Sequence, residues 1–271
     1  MAHLSLIDEM REAYGQLEHD SLRDCLMDSI VEEQSSLQQI EESFRAFTSA
    51  KHSLNSRRTF FSSWQKTNNS AMSVEGLANR ISAEGEAAVE RGEPKEALGL
   101  FGSCARLNRV ADEDLGVGGK VLHFELYYQM ATGFCDQDDL WQSRQYCLPE
   151  ASAFKSWLDQ TRLREEIMQG QYSMLVHEGY THAELEMIAP LFQRWAVEDM
   201  GYSPGKARAL LAWISVHNGG TEKRHFAHVC SSVTHYLQAT GEEANPEEAT
   251  KVFRTYLKKK AAAMAGLTAL R

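Results

Sequence analysis

Basic residues are in short supply in this 271-residue chain: 28 Lys and Arg stand against 38 Asp and Glu, a net charge of -10. That balance disfavours nucleic acid or anionic lipid as a partner, since either normally requires a basic face. No apolar run approaches the length that spans a bilayer, so membrane insertion is not expected. The first ten residues carry Asp8 and Glu9 where a secretory signal would place basic residues and an unbroken apolar core, and the expected location is cytoplasmic. Cysteine numbers only five, an odd count with no C-x-x-C pair, which excludes a disulfide framework and a cysteine zinc site and fits a reducing compartment. Proline is equally rare at five, and no segment alternates polar and apolar residues for long. Together these absences predict an all-α fold.

The expected organisation is one all-helical domain over 1–271: N-terminal helices in 1–70, a bundle over 73–240 and a C-terminal helix over 246–270. Leu4, Ile7, Met10, Tyr14, Leu17, Leu22, Leu26 and Ile30 recur at helical spacing, with a break near Glu18 to Ser21. Residues 38–66 present an aromatic face of Phe44, Phe47, Phe60, Phe61 and Trp64 that other helices must cover. Ser73 is placed to cap the helix beyond it, and Gly92-Glu-Pro94 to end that helix and start the next, over 94–110. A glycine-rich passage, 111–119, leads to His123. A long helical stretch over about 152–198 follows, with a kink or restart expected at Pro190. Ser203-Pro204 and Asn245-Pro246 read as helix starts.

What the chain does contain, in unusual density, is histidine near carboxylate. Glu222 and His225 are three apart, so on a helix they leave the same face one turn from each other and can converge on one ion. One such acid-x-x-His pair is expected about once by chance at this composition, so it gains meaning only with ligands from elsewhere. The chain offers Glu113 with His123, then Glu178, Glu184 and Glu186 with His177 and His182, then His217 beside Glu222 and His225, with His228 following. On an ideal helix His217 and Glu222 point about 140° apart. Their convergence requires a π-bulge or a break at Gly219-Gly220. A plainer reading leaves Glu222 and His225 as a solvated pair and His123 as a histidine bonded to neighbouring backbone.

Carboxylates and imidazoles from three helical segments are the inventory of a diiron site within a bundle, where hard oxygens stabilise the ferric state and imidazole keeps ferrous iron bound. The segments His123 to Gly133, Glu186 to Phe192 and His217-x4-Glu222-x2-His225 resemble the haem-oxygenase-like diiron oxidases and oxygenases, relatives of the thiaminase-like and pyrroloquinoline-synthase-like helical proteins. The resemblance covers roughly residues 100–235. It implies a haem-oxygenase-like helical bundle in which Glu113, His123, Glu186, His217, Glu222 and His225 hold two ferrous ions, with Glu178, Glu184, His182 and His228 as alternatives. Manganese is accepted by similar ligands. The implied activity is oxidation of a small-molecule substrate, an amino acid or fatty acid derivative in specialised metabolism, by dioxygen, with an external reductant as a further partner and a homodimer as an open option. Two other readings stand beside it: a cofactorless or Cys135-dependent enzyme of the same fold, and a non-enzymatic helical interaction protein.

Overall fold

A computed structural model describes residues 5–68 and 71–268. It is an all-α helical bundle; among the described residues there is no strand, and no helix is long and apolar enough to cross a membrane. The N-terminal third comprises α1 (Leu6–Tyr14), α2 (Asp20–Glu32), α3 (Gln34–Phe47) and α4 (Leu54–Asn68). Next come α5 (Ala71–Glu90), α6 (Pro94–Asp114), α7 (His123–Phe134) and α8 (Pro149–Leu163). The chain finishes with α9 (Ile167–Glu198), α10 (Pro204–Leu210), α11 (Ala212–Val216), α12 (Glu222–Thr240) and α13 (Pro246–Thr268).

Local sequence accounts for most boundaries. Pro94 occupies the first turn of α6, where its missing N–H costs nothing. Ser203 accepts from the Lys206 N–H to cap α10, and Asn245 Oδ1 accepts from the Glu248 N–H at 3.1 Å to start α13. Gly241, at φ +70°, closes α12. Elsewhere the expected elements divide further: residues 38–66 split into α3 and α4, and the 152–198 stretch breaks at Arg164 to Glu166. Ser73 is no cap. It lies buried inside α5 and accepts from the Arg162 guanidinium at 3.2 Å. Residues 69 and 70 of the expected turn, and the last residues of the expected C-terminal helix, lie outside the described residues. Pro190 does not restart α9, which continues through it. The ring sits on an exposed face and the Glu186 side of the turn is half-buried, so water can satisfy the carbonyl that loses its N–H donor.

α9 is the axis of the bundle. Every residue from Gly170 to Leu185 is buried, enclosed by α1, α5, α8, α12 and α13. At one end the aromatic face predicted for α3 and α4 packs with Phe134 and Trp195; Phe47 stacks on Phe60 at 3.6 Å and Trp64 on Phe192 at 5.3 Å. Within this core lies an ion pair. Lys260 of α13 and Glu184 of α9, both fully buried, meet at 3.0 Å, and Glu184 also accepts from the Trp64 indole and the Tyr180 hydroxyl. Lys260 donates further to Thr67 Oγ1 at 2.9 Å. Removing one partner of such a pair strands the other charge, a loss of about 3–5 kcal/mol. We therefore expect Lys260→Met to lower unfolding stability by that amount in urea titrations. The double variant Glu184→Gln/Lys260→Met, which keeps an acceptor for Trp64, recovers more than half of the loss.

Candidate metal centre

The site is assembled by α6, α7, α9, the turn after α11, and α12. Its first group is Asp114, His123 and His217; its second is Glu178, Glu222 and His225; in each, the three candidate ligand atoms lie within 4.8 Å of one another. Asp114 Oδ1 is 2.9 Å from His123 Nδ1, and the His123 and His217 rings lie 4.4 Å apart. In the second group His225 Nδ1 is 3.5 Å from Glu178 Oε2 and 3.9 Å from Glu222 Oε2. Glu222 spans the two, since its Oε1 is 3.6 Å from His217 Nε2.

A local irregularity makes this convergence possible. Residues His217–Thr221 form a π-helical turn, wider than an α-turn by one residue, which rotates His217 and Glu222 from opposite faces onto one. Gly220 takes φ +92°, which an L side chain adopts only under strain, and Thr221 Oγ1 closes the turn by donating to the Val216 carbonyl at 2.9 Å. His217 Nδ1–H donates to the Trp213 carbonyl at 2.6 Å, which fixes the tautomer and leaves Nε2 bare toward the cavity.

The electrostatics are those of a desolvated cluster. Burial pushes the Glu222 carboxyl well above its usual range, helped by the charges of Glu178 and Asp114. Burial also opposes charge on His225, but hydrogen bonding to Glu178 and the charges of Glu222 and Asp114 outweigh it and raise this imidazole to about 10. Burial and the neighbouring His123 lower His217 to about 4. Glu222 Oε2 and His225 Nε2 are buried with no hydrogen-bond partner. A stranded carboxylate oxygen, Glu222 Oε2, in a cluster of matched acids and imidazoles fits a cationic guest.

Six residues were expected as ligands. His123, His217, Glu222 and His225 come together; Glu113 and Glu186 do not join them. Glu113 sits one residue, or about 100° of helix, from Asp114. Its carboxylate is held by Lys120 at 2.8 Å and Arg224 at 3.1 Å, and although burial opposes ionisation, those partners bring it down to about 2. It approaches His225 Nε2 at 3.5 Å from behind. Glu186 lies eight residues past Glu178, about 12 Å along the axis, where burial and Glu12 raise its carboxyl and Lys223 opposes them. Of the alternatives, Glu178 lies in the cluster; Glu184 is committed to Lys260, His182 stands apart near Lys223 and Glu12, and His228 is half-exposed near Arg106. Asp114, nine residues before His123, was not among the expected residues.

Beside the cluster is a cavity of about 160 Å³ whose remaining walls include Gln65, Asn68, Tyr127, His177, Thr181 and Trp213. Trp213 packs edge-on against Tyr127 at 5.0 Å and Trp64 at 5.2 Å, while His177 shares a hydrogen bond with the Tyr256 hydroxyl at 3.0 Å. Among the described residues, no Lys or Arg lines the cavity. Cys135 is not part of it; burial pushes its thiol up to about 12 despite Arg57 and Arg58, which leaves no thiolate nucleophile near neutral pH.

No protein-family model and no curated protein matches this chain. Among solved structures, the crystal structure of a CadD-like protein of unknown function from Nostoc punctiforme is similar over 97% of this chain and 96% of that one, with a TM-score of 0.57 and 15% sequence identity. At that identity the likeness is one of helical fold.

The π-turn is the most exposed point of this design to substitution. Gly220→Ala is expected to cost about 1–2 kcal/mol through its backbone alone, because a Cβ there meets nothing closer than the Arg224 guanidinium at 3.8 Å. Deleting Gly220 converts the turn to a regular α-helix with His217 and Glu222 four apart, and is expected to cost less than Gly220→Ala. Thermal melts of the two variants, followed by circular dichroism, rank them.

Proposed function

We propose that this protein is a non-haem diiron oxidase or oxygenase of the haem-oxygenase-like type, acting on a small molecule with dioxygen. The observation that carries this reading is the convergence of six carboxylate and imidazole side chains on one cavity, five of them buried and Asp114 half-buried, with Glu222 Oε2 left without a hydrogen-bond partner. Asp114, His123 and His217 would hold one ion and Glu178, Glu222 and His225 the other, with one oxygen of Glu222 toward each group. Bound there, two ferrous ions supply the redox chemistry that reduces dioxygen and oxidises the substrate. Manganese suits the same donor set.

The chain's own residues do the rest. The Trp213 carbonyl holds the His217 ring with Nε2 inward. Tyr127 and Trp213 exclude water from one wall, and the cavity admits a substrate of modest size. All five cysteines are free, in keeping with a reducing compartment that would maintain ferrous iron.

Anaerobic ferrous titration followed by rapid mixing with air tests the proposal. Wild type is expected to bind about two equivalents per chain and to develop oxygen-dependent visible absorbance, and His225→Ala to lose both. A wild type that binds less than about a tenth of an equivalent and stays colourless overturns it. A second outcome follows from the cluster's protonation. His225 in the apoprotein is an imidazolium at pH 7, since its pKa is about 10, and must surrender that proton to ligate. Ferrous affinity should therefore rise about tenfold per pH unit between pH 6 and 8. Calorimetry in buffers of differing ionisation enthalpy should record release of at least one proton.

A further inference from the structure

Several helical threonines in this protein satisfy their hydroxyls in the same way. Thr48, Thr161, Thr234, Thr240 and Thr255 each donate the hydroxyl to the carbonyl four residues back, at 2.7 to 3.1 Å. That back-bond is how a helical hydroxyl away from water is satisfied. Thr181 departs from it. It lies in the middle of α9 and is 6% exposed, yet its Oγ1 is buried without any hydrogen-bond partner. The side chain lines the cavity beside the metal centre, one turn along α9 from Glu178 and on the same face. A stranded hydroxyl destabilises the fold, and valine would fill the same volume without one. Packing therefore gives no reason for a threonine here, whereas a guest in the cavity does.

We propose that the Thr181 hydroxyl is a ligand-positioning group: it hydrogen-bonds a small exogenous anion or oxygen donor that enters the cavity and completes the coordination of the bound metal. This rests on the dimetal reading of the site. Among the described residues the cavity has no Lys or Arg to meet a negative charge, so the ions supply the attraction and the hydroxyl, able both to donate and to accept, supplies orientation. Gln65 and Asn68 present side-chain amides on the same wall.

The test uses the full-length protein loaded with cobalt(II), with azide as the exogenous ligand, in wild type, Thr181→Val and Thr181→Ser. Cobalt binding is followed by its own visible absorption and is expected to be equal in all three. The azide Kd is expected to rise about tenfold in Thr181→Val, the worth of roughly one hydrogen bond, and to stay within about threefold of wild type in Thr181→Ser. The melting temperature of apo Thr181→Val is expected to hold or to rise by about 2–4 °C, as a buried unpaired hydroxyl has been removed. Equal azide affinity in wild type and Thr181→Val, with cobalt bound to both, overturns this inference and leaves the metal centre standing. A fall in the melting temperature of Thr181→Val, or failure of Thr181→Ser to restore azide binding, makes the residue structural and overturns it too. A wild type that takes up no cobalt overturns the dimetal reading and this inference with it.

Discussion

His225 is held between two carboxylates with almost no water to share the charge, and the surrounding architecture is arranged to make that tolerable. Charges taken out of water destabilise a fold unless they are matched at short range. Here the matching is done within the cluster, by acids and imidazoles that hold protons between them. The same logic governs Glu184, a turn and a half along α9 from Glu178, where a lysine ammonium supplies the matching charge. One helix thus carries two buried carboxylates in opposite conditions. Glu184 is saturated by Lys260, Trp64 and Tyr180, whereas the Glu178 group retains unsatisfied atoms. The contrast separates a structural ion pair from a site.

Much of this could be read from residues alone. Helical class followed from scarce proline and the absence of alternation, and the caps at Ser203 and Asn245 marked their helices correctly. Convergence of His217 and Glu222 required the π-turn by arithmetic, since a five-residue step leaves them about 140° apart on a regular helix. The cluster residues that escaped did so for reasons of phase. Ending α6 at residue 110 leaves the acids at 113 and 114 without a helical phase, and only a helix continuous to Asp114 decides which of them faces His123. α9 hides its phase differently. It is buried on all sides from Gly170 to Leu185, so no polar face indicates which of Glu178, Glu184 and Glu186 looks into the cavity.

A TM-score of 0.57 at 15% identity also follows from the physics of helical packing. Many apolar sequences fill the same bundle, because volume and pattern matter more than the identity of each side chain. The backbone can therefore persist while the core drifts, and the fold says little about chemistry. What packing leaves unexplained is a handful of buried polar side chains with unpartnered atoms.

Tyr14 of α1 reaches across to donate to the Val176 carbonyl at 3.0 Å, and it can do so because Gly179 has no Cβ; an added one would lie 2.7 Å from the phenol. The helix that presents Glu178 is thus braced by the N-terminal helix, as well as by Trp64 from α4 and Tyr256 and Lys260 from α13. The ligand-bearing stretch is consequently not a transferable cassette. Its geometry belongs to segments more than a hundred residues earlier and nearly eighty residues later in the chain, so selection acting on that stretch must also act on Tyr14 and Gly179, whose contact is with each other.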